Sequence, residues 1–110
     1  MATLALSEAS FLTLQRAARL FGVLSTPIRL KILACLKSGE QNVTSLLAKI
    51  DASQPNMSRH LGVLHQYGVV GRRREGQQIF YCIADPSVLW VCDSMCSSLS
   101  GVEFEQGPSV

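Results

Sequence analysis

Two of the four cysteines in this chain are one helical turn apart, the spacing at which two thiols can share a ligand. Cys92 and Cys96 lie in an apolar segment whose pattern predicts a helix, so both sulfur atoms can approach a common atom. Paired thiolates suit a soft, thiophilic ion such as As(III), Sb(III), Cd(II) or Cu(I). As(III) needs about three thiolates, and the third would come from Cys82, from Cys35 or from a second subunit. We favour Cys82, because its predicted strand ends immediately before this helix.

Two other interpretations of these cysteines stay open. The thiols can be oxidised or persulfidated, so that the protein responds to an oxidant or to a reactive sulfur species. Cysteine is also among the most buried residue types, so Cys92 and Cys96 can simply pack in an apolar interface. Cys35 shares an apolar helix face with Ile28 and Ile32, and we expect core packing there rather than ligation.

A second group of candidate residues forms a short polar segment without acidic side chains. Gln and Asn can pair with the edge of adenine, Arg can pair with guanine, and Ser can reach bases or phosphates. On a helix that buries Met57, Leu61 and Leu64, these side chains lie on other faces and can contact DNA. We expect His60 to contact a phosphate or to pack, and His65 to lie at the surface. The predicted DNA-contacting residues of this segment are Ser53, Gln54, Asn56, Ser58, Arg59 and His60.

Basic charge is concentrated in one third of the chain. Between residues 52 and 84, four arginines are opposed only by Glu75, which gives this segment a net charge of +3, while the remainder carries −1. Such a distribution predicts an anionic partner. Arg72, Arg73 and Arg74 would attract phosphates, and strand alternation puts Arg73 on the face opposite to the other two.

Hydrophobic periodicity and turn residues predict the elements that carry these groups. Ser7, Thr26 and Ser53 are the expected helix caps, and Glu75 with Gly76 forms the expected tight turn. A helix-turn-helix followed by an arginine-rich hairpin is a winged helix, so we predict a mainly α fold with a β-hairpin, in the order α-α-α-α-β-β-α. The predicted helices span about residues 8–24, 27–37, 43–50, 54 onward and 86–99, and the strands span 69–74 and 77–83.

Length and composition fit one folded domain. The chain has 110 residues, of which 47% are apolar and 16% charged, a composition typical of folded rather than disordered chains. The apolar stretches are interrupted well before the roughly 18 residues that a membrane span needs, and residues 1–6 do not have the pattern of a signal peptide. We therefore expect a single cytoplasmic domain over residues 1–110, without membrane attachment and with a flexible tail at 101–110.

Four runs of the sequence together resemble the arsenic-repressor (ArsR) family of bacterial metal-responsive winged-helix repressors. The most specific is Ser-Gln-Pro-Asn-Met-Ser-Arg-His-Leu at residues 53–61; the others are Ser-Gly-Glu at 38–40, Arg-Arg-Glu-Gly at 73–76 and Phe-Tyr at 80–81. The resemblance extends over about residues 20–99.

This resemblance implies a homodimer joined mainly by the first and last helices, about residues 8–24 and 86–99. The dimer would bind an inverted-repeat operator in double-stranded DNA as a repressor and leave it when an inducer binds. DNA binding itself would require no cofactor. The apolar stripes of both helices are wider than a small monomer needs, which agrees with a two-fold interface.

The inducer sites of the family do not all carry over to this sequence. The arsenite site would have a Cys-x-Cys pair where this chain has Asn42 and Thr44, and the zinc-type site uses histidines on the last helix, which contains none. A branch that senses reactive sulfur would have cysteines near Ala34, beside Cys35, and near Ser100. The sensing residues that we predict are Cys92, Cys96 and Cys82, followed by Cys35.

An enzyme is not expected. The cysteines and the two histidines fall on different predicted elements, and the sequence has no Gly-rich phosphate loop and no carboxylate pair. A DNA-binding module without a sensing function is the remaining alternative.

Overall fold

The structure, a computed structural model, describes residues 6–101 and has five α-helices and three strands within that range. The order of helices and hairpin confirms the predicted mainly α fold. The predicted tail at 101–110 lies outside the described residues, apart from Gly101. After a 3-10 turn at Leu6–Glu8, the elements are α1 (Phe11–Val23), α2 (Pro27–Leu36), β1 (Gln41–Asn42), α3 (Val43–Lys49), α4 (Gln54–Gln66), β2 (Val70–Glu75), β3 (Gln78–Ile83) and α5 (Pro86–Ser100).

Capping residues fix the beginnings of α2, α4 and α5. Thr26 Oγ1 accepts a hydrogen bond from the Arg29 amide at 3.2 Å, and Ser53 Oγ accepts one from the Asn56 amide at 3.2 Å. Asp85 caps α5 in the same way. All three helices have a proline in the first turn, where its missing N–H costs nothing. The Thr26 and Ser53 caps are therefore confirmed.

The predicted Ser7 cap of α1 is wrong. Ser7 lies in the separate 3-10 turn, and α1 begins after Ser10. Ser10 Oγ accepts a hydrogen bond from the Thr13 amide at 3.1 Å and also contacts the Thr13 hydroxyl at 3.0 Å. The helix begins later because Ser10 has a suitable partner three residues ahead.

The sheet has three antiparallel strands in the order β1-β3-β2, one more than the predicted hairpin. In β1, only Gln41 and Asn42 pair with β3, and Asn42 is also the N-cap of α3. Glu75 pairs with Gln78, so the turn lies at Gly76 and the residue after it, one position later than predicted. Gly76 has φ 64°, a conformation that favours glycine at the first position of a two-residue turn.

The core lies where α2, α3 and α4 meet the base of the hairpin. Met57, Leu61 and Leu64 of α4 are fully buried, as their spacing predicted. From α1, only Val23 is buried among the described residues. The other core residues are Ile32, Leu33, Leu36, Leu46, Ile50, Val69, Val70, Tyr81 and Val88.

Large apolar side chains of α1 and α5 are exposed in the single chain. Phe11 is 74% exposed, Phe21 58%, Trp90 69% and Met95 56%. Because both helices also supply part of the core, each has more apolar surface than the monomer buries. No helix within residues 6–101 has the length and apolar character that crossing a bilayer requires.

Candidate nucleic-acid interface and thiol groove

The N-terminal half of α4 presents the polar face that the sequence predicts. Gln54, Ser58 and Arg59 are exposed, and Asn56 is half-buried. Arg59 Nη2 donates a hydrogen bond to Asn56 Oδ1 at 2.7 Å, which holds the guanidinium along the helix surface. With the exposed cap Ser53, these residues form a continuous surface rich in hydrogen-bonding groups.

His60 does not belong to this surface, and its assignment as a DNA-contacting residue is corrected. Its side chain is only 5% exposed, and its Nδ1 accepts a hydrogen bond from Arg29 Nε at 2.9 Å. The same guanidinium donates from Nη1 to the Val23 carbonyl at 3.0 Å. Burial, together with the charges of Arg29 and Arg59, lowers the pKa of His60, so the imidazole is a neutral packing group.

A polar cleft of about 320 Å³ lies between α4, the start of α3 and the hairpin. Gln54 and Ser58 of α4 line one side of this cleft. Sequence reasoning did not assign the residues that line the other side, because they come from separate elements that only the fold brings together. They are Asn42, Val43, Thr44, Gln77, Gln78, Ile79 and Tyr81.

The three arginines of the wing, which is the β2–β3 hairpin, lie on two faces. Arg72 pairs with the buried Tyr81 and Arg74 pairs with Ile79, so both arginines lie on the face of the sheet that continues to the core. Arg73 pairs with Phe80 on the opposite face. The predicted alternation of the arginines is therefore confirmed. Arg72 and Arg74 form no ion pair within residues 6–101.

Arg73, by contrast, is held by two carboxylates. Its Nε and Nη2 donate to the two oxygens of Glu40 at 2.8 Å and 2.7 Å, and its Nη1 donates to Glu75 Oε1 at 2.8 Å. The guanidinium also lies over the Phe80 ring, 4.9 Å from the centroid. The hydrogen bonds from Arg73 lower the pKa of Glu40, and hydrogen bonds to Glu40 and Glu75 raise the pKa of Arg73.

Cys92 and Cys96 line one groove between α5, α1 and α2. We call this cavity of about 150 Å³ the thiol groove; its other lining residues are apolar. Cys92 is half-buried and Cys96 is exposed. Burial raises the pKa of the Cys92 thiol, and the neighbouring Cys96 and Asp93 raise it further. A ligand at Cys92 must therefore displace a proton at neutral pH. The remaining lining residues are Phe21, Leu24, Leu30, Val91 and Met95.

Cys82, the expected source of a third thiol, does not line the thiol groove in a single protomer. Cys82 pairs with Gly71 on the outer face of the sheet, next in the chain to the buried Tyr81. Cys35 packs partly buried against the core. Within residues 6–101, no three His, Cys, Asp or Glu side chains are arranged to hold a metal ion. One protomer therefore offers two thiols in the groove.

Comparisons with known proteins agree with this architecture. The family model described as "bacterial regulatory protein, arsR family" matches residues 26–71. The chain is 38% identical to the probable mercury resistance operon repressor of Streptomyces lividans, over 64% of this chain and 57% of that protein. It spans 56% to 63% of the length of the curated relatives with which it shares 38% to 46% identity.

Solved structures match over more of their length. The transcriptional repressor BigR of Xylella fastidiosa has 34% identity and a TM-score of 0.71, over 76% of this chain and 85% of that one. The homodimeric winged helix-turn-helix domain Mb0332 of Mycobacterium bovis, described as a possible ArsR-family regulator, has 27% identity and a TM-score of 0.74, over 94% of each chain. This chain therefore belongs to the ArsR family of bacterial regulatory proteins.

Proposed function

We propose that this protein is a transcriptional repressor that binds an inverted-repeat operator through α4 and the wing. The observation that carries the proposal is the exposed, acid-free face of α4 beside Arg72 and Arg74, two arginines that form no ion pair within residues 6–101. Amide and guanidinium groups on a helix can read base edges in the major groove, while wing arginines attract the phosphates. A repressor of bacterial genes acts on DNA in the cytoplasm, which is where this function would be carried out.

The exposed apolar faces of α1 and α5 support a homodimer as the binding unit. Phe11, Phe21 and Trp90 are each more than half exposed in the single chain, and a two-fold interface would bury them. The related Mb0332 domain is described as homodimeric. In such a dimer the two α4 helices would contact half-sites about one turn of DNA apart.

The thiol groove supports a soft metal or metalloid ion as the inducer. Two thiols one helical turn apart suit a thiophilic ion, and one relative is described as a probable mercury resistance operon repressor. As(III) or Sb(III) would need a third thiolate, which one protomer lacks in the groove; the partner subunit would have to supply it. Because Cys92 lines the same groove as Phe21 of α1 and Leu24, the C-cap of that helix, an ion there would change the packing of α5 against α1 and thus the dimer.

Selection from a random duplex library tests DNA binding and identifies the operator sequence in the same experiment. We expect the reduced protein to enrich an inverted repeat whose half-sites are about 10 base pairs apart. Gln54→Ala and Ser58→Ala should lower the preference for the enriched duplex over random DNA, because the lost groups read bases. His65→Ala, on the C-terminal part of α4, is the matched control. Failure of the wild-type protein to enrich any sequence contradicts the proposed function.

A further inference from the structure

One side chain on the outer face of the sheet reaches across all three strands. Arg73 lies on β2, Phe80 lies opposite it on the central strand β3, and Asn42 of β1 lies opposite Phe80. The Arg73 guanidinium passes over the Phe80 ring and ends on the carboxylate of Glu40, the residue before β1. Both edges of the sheet are therefore connected by a single residue pair.

The geometry of the Arg73–Glu40 pair is that of a planar fork. Two parallel N–H···O bonds of 2.8 Å and 2.7 Å join the guanidinium to the carboxylate, which fixes orientation as well as distance. Glu75, at the other end of the wing, accepts a third hydrogen bond at 2.8 Å. Two negative charges thus oppose the single positive charge of Arg73, so it attracts phosphates less than its neighbours do.

The position of Glu40 allows the Arg73–Glu40 pair to connect the wing to the helix-turn-helix. Glu40 is followed by β1, which has only two residues and leads directly into α3, the first helix of the helix-turn-helix. Two residues of pairing give little orientation to a protruding hairpin. Besides Arg73–Glu40, a hydrogen bond of 2.6 Å from Asn42 Nδ2 to Gln78 Oε1 connects the same two parts.

We propose that Arg73 is a positioning residue, which with Glu40 holds the wing at a fixed angle to the helix-turn-helix, and that the phosphate contacts of the wing come from Arg72 and Arg74. The proposal rests on the proposed DNA-binding function. Arg72 and Arg74 lie on the opposite face of the sheet, the face of Ile79 and Tyr81 that lines the polar cleft next to α4. Two of the three arginines, Arg72 and Arg74, would therefore bind phosphates, and the third, Arg73, would hold the wing in place; we call the Arg73–Glu40 pair the brace.

Salt dependence of DNA binding distinguishes a brace from a phosphate contact. Each phosphate contact contributes about 0.9 to the slope of log affinity against log salt concentration. Arg72→Gln and Arg74→Gln should each lower the slope by about twice that amount, because both subunits of the proposed homodimer lose the contact. Arg73→Gln should leave the slope unchanged and weaken binding about two- to fivefold, the size expected for a lost exposed ion pair. A slope lowered as much as in the neighbouring variants, or an affinity equal to wild type, overturns the proposal.

Amide hydrogen exchange in the free protein tests the brace without DNA. Arg73→Gln and Glu40→Ala should each speed exchange at the β2 and β3 amides about two- to fivefold. The double variant should exchange no faster than either single variant, because all three lose the same contact. Arg72→Gln is the matched control and should exchange like wild type. Equal exchange in Arg73→Gln and Arg72→Gln overturns the brace even if the protein binds DNA, whereas a wild-type protein that binds no DNA contradicts only the proposed function.

Discussion

His60 interrupts an otherwise exposed polar run, and its position in α4 explains why. It follows Met57 by three residues and precedes Leu64 by four, so it lies on the buried stripe of the helix. That spacing is readable in the sequence and favours the packing role over the phosphate role. Its partner Arg29 is 31 residues away, and only the tertiary structure brings the two together.

The buried neutral imidazole predicts a loss of stability in acid. The pKa of His60 is lowered from its ordinary 6.5 in the folded protein. As the pH falls, His60 therefore binds a proton at a higher pH in the unfolded chain than in the folded one, and protonation favours unfolding. The free energy of unfolding should fall as pH drops below about 6.5. In His60→Asn, which keeps an acceptor for Arg29 without titrating, this fall should be smaller. Urea unfolding between pH 7.5 and 5.5 measures it. His65→Asn is the control, and an unchanged pH profile in His60→Asn contradicts a buried, neutral His60 imidazole.

The periodicity of the element that carries each cysteine also determines which cysteines lie together. Cys92 and Cys96 are four residues apart on a helix and therefore share the thiol groove, as their spacing indicated. Cys82 follows a buried strand residue, Tyr81, and strand alternation turns it to the outer face. Chain proximity to α5 was thus a poorer guide than alternation, which was also present in the sequence.

Helix boundaries could be predicted from short-range sequence features, whereas the strand that forms only by long-range pairing could not. The caps Thr26 and Ser53 and the apolar stripe of α4 are short-range features, and α2 and α4 begin where they indicate. β1 could not be found, because two residues have no periodicity and form a strand only by pairing with β3. The Arg73–Glu40 pair depends on the same long-range pairing and was missed for the same reason.

Two glycines give a matched test of these elements. Gly62 is an exposed residue inside α4 where an added Cβ meets no atom within 4 Å, so Gly62→Ala should stabilise the protein by about 0.5–1 kcal/mol. Gly76 has φ 64° in the wing turn, so Gly76→Ala should destabilise it by about 1 kcal/mol. Urea unfolding of both variants measures the difference, and the same sign in both would contradict the assignment of helix and turn.

In the molecule as a whole, much of the apolar surface of α1 and α5 stays exposed when the chain is alone. The excess width of these stripes is visible in the sequence, but which side chains stay exposed depends on how α1 and α5 pack on the core. Trp90 of α5 is 69% exposed and lines an apolar groove with Leu20 and Phe21 of α1. A charge there would stay hydrated in a monomer and be buried without a partner in a dimer.

The proposed dimer therefore predicts that Trp90→Glu is monomeric. Sedimentation equilibrium should give a dimer for the wild-type protein and a monomer for the variant, with unchanged helix content by circular dichroism. Tyr67→Glu introduces the same charge at an exposed aromatic residue outside α1 and α5 and should stay dimeric. A wild-type monomer, or a dimeric Trp90→Glu, would refute the interface.

In the proposed function, a dimer binds DNA through α4 and the wing and is released by an ion at Cys92 and Cys96. Fluorescence anisotropy of the selected duplex, bound by reduced protein and titrated with As(III), Sb(III), Cd(II) and Hg(II), tests it most directly, with peroxide and persulfide as the competing inducers. We predict that at least one of the ions releases the wild-type protein, that Cys92→Ser with Cys96→Ser abolishes release, and that Cys35→Ser leaves it intact. Release of the double variant at wild-type ion concentrations, or release only by peroxide or persulfide, would contradict the claim.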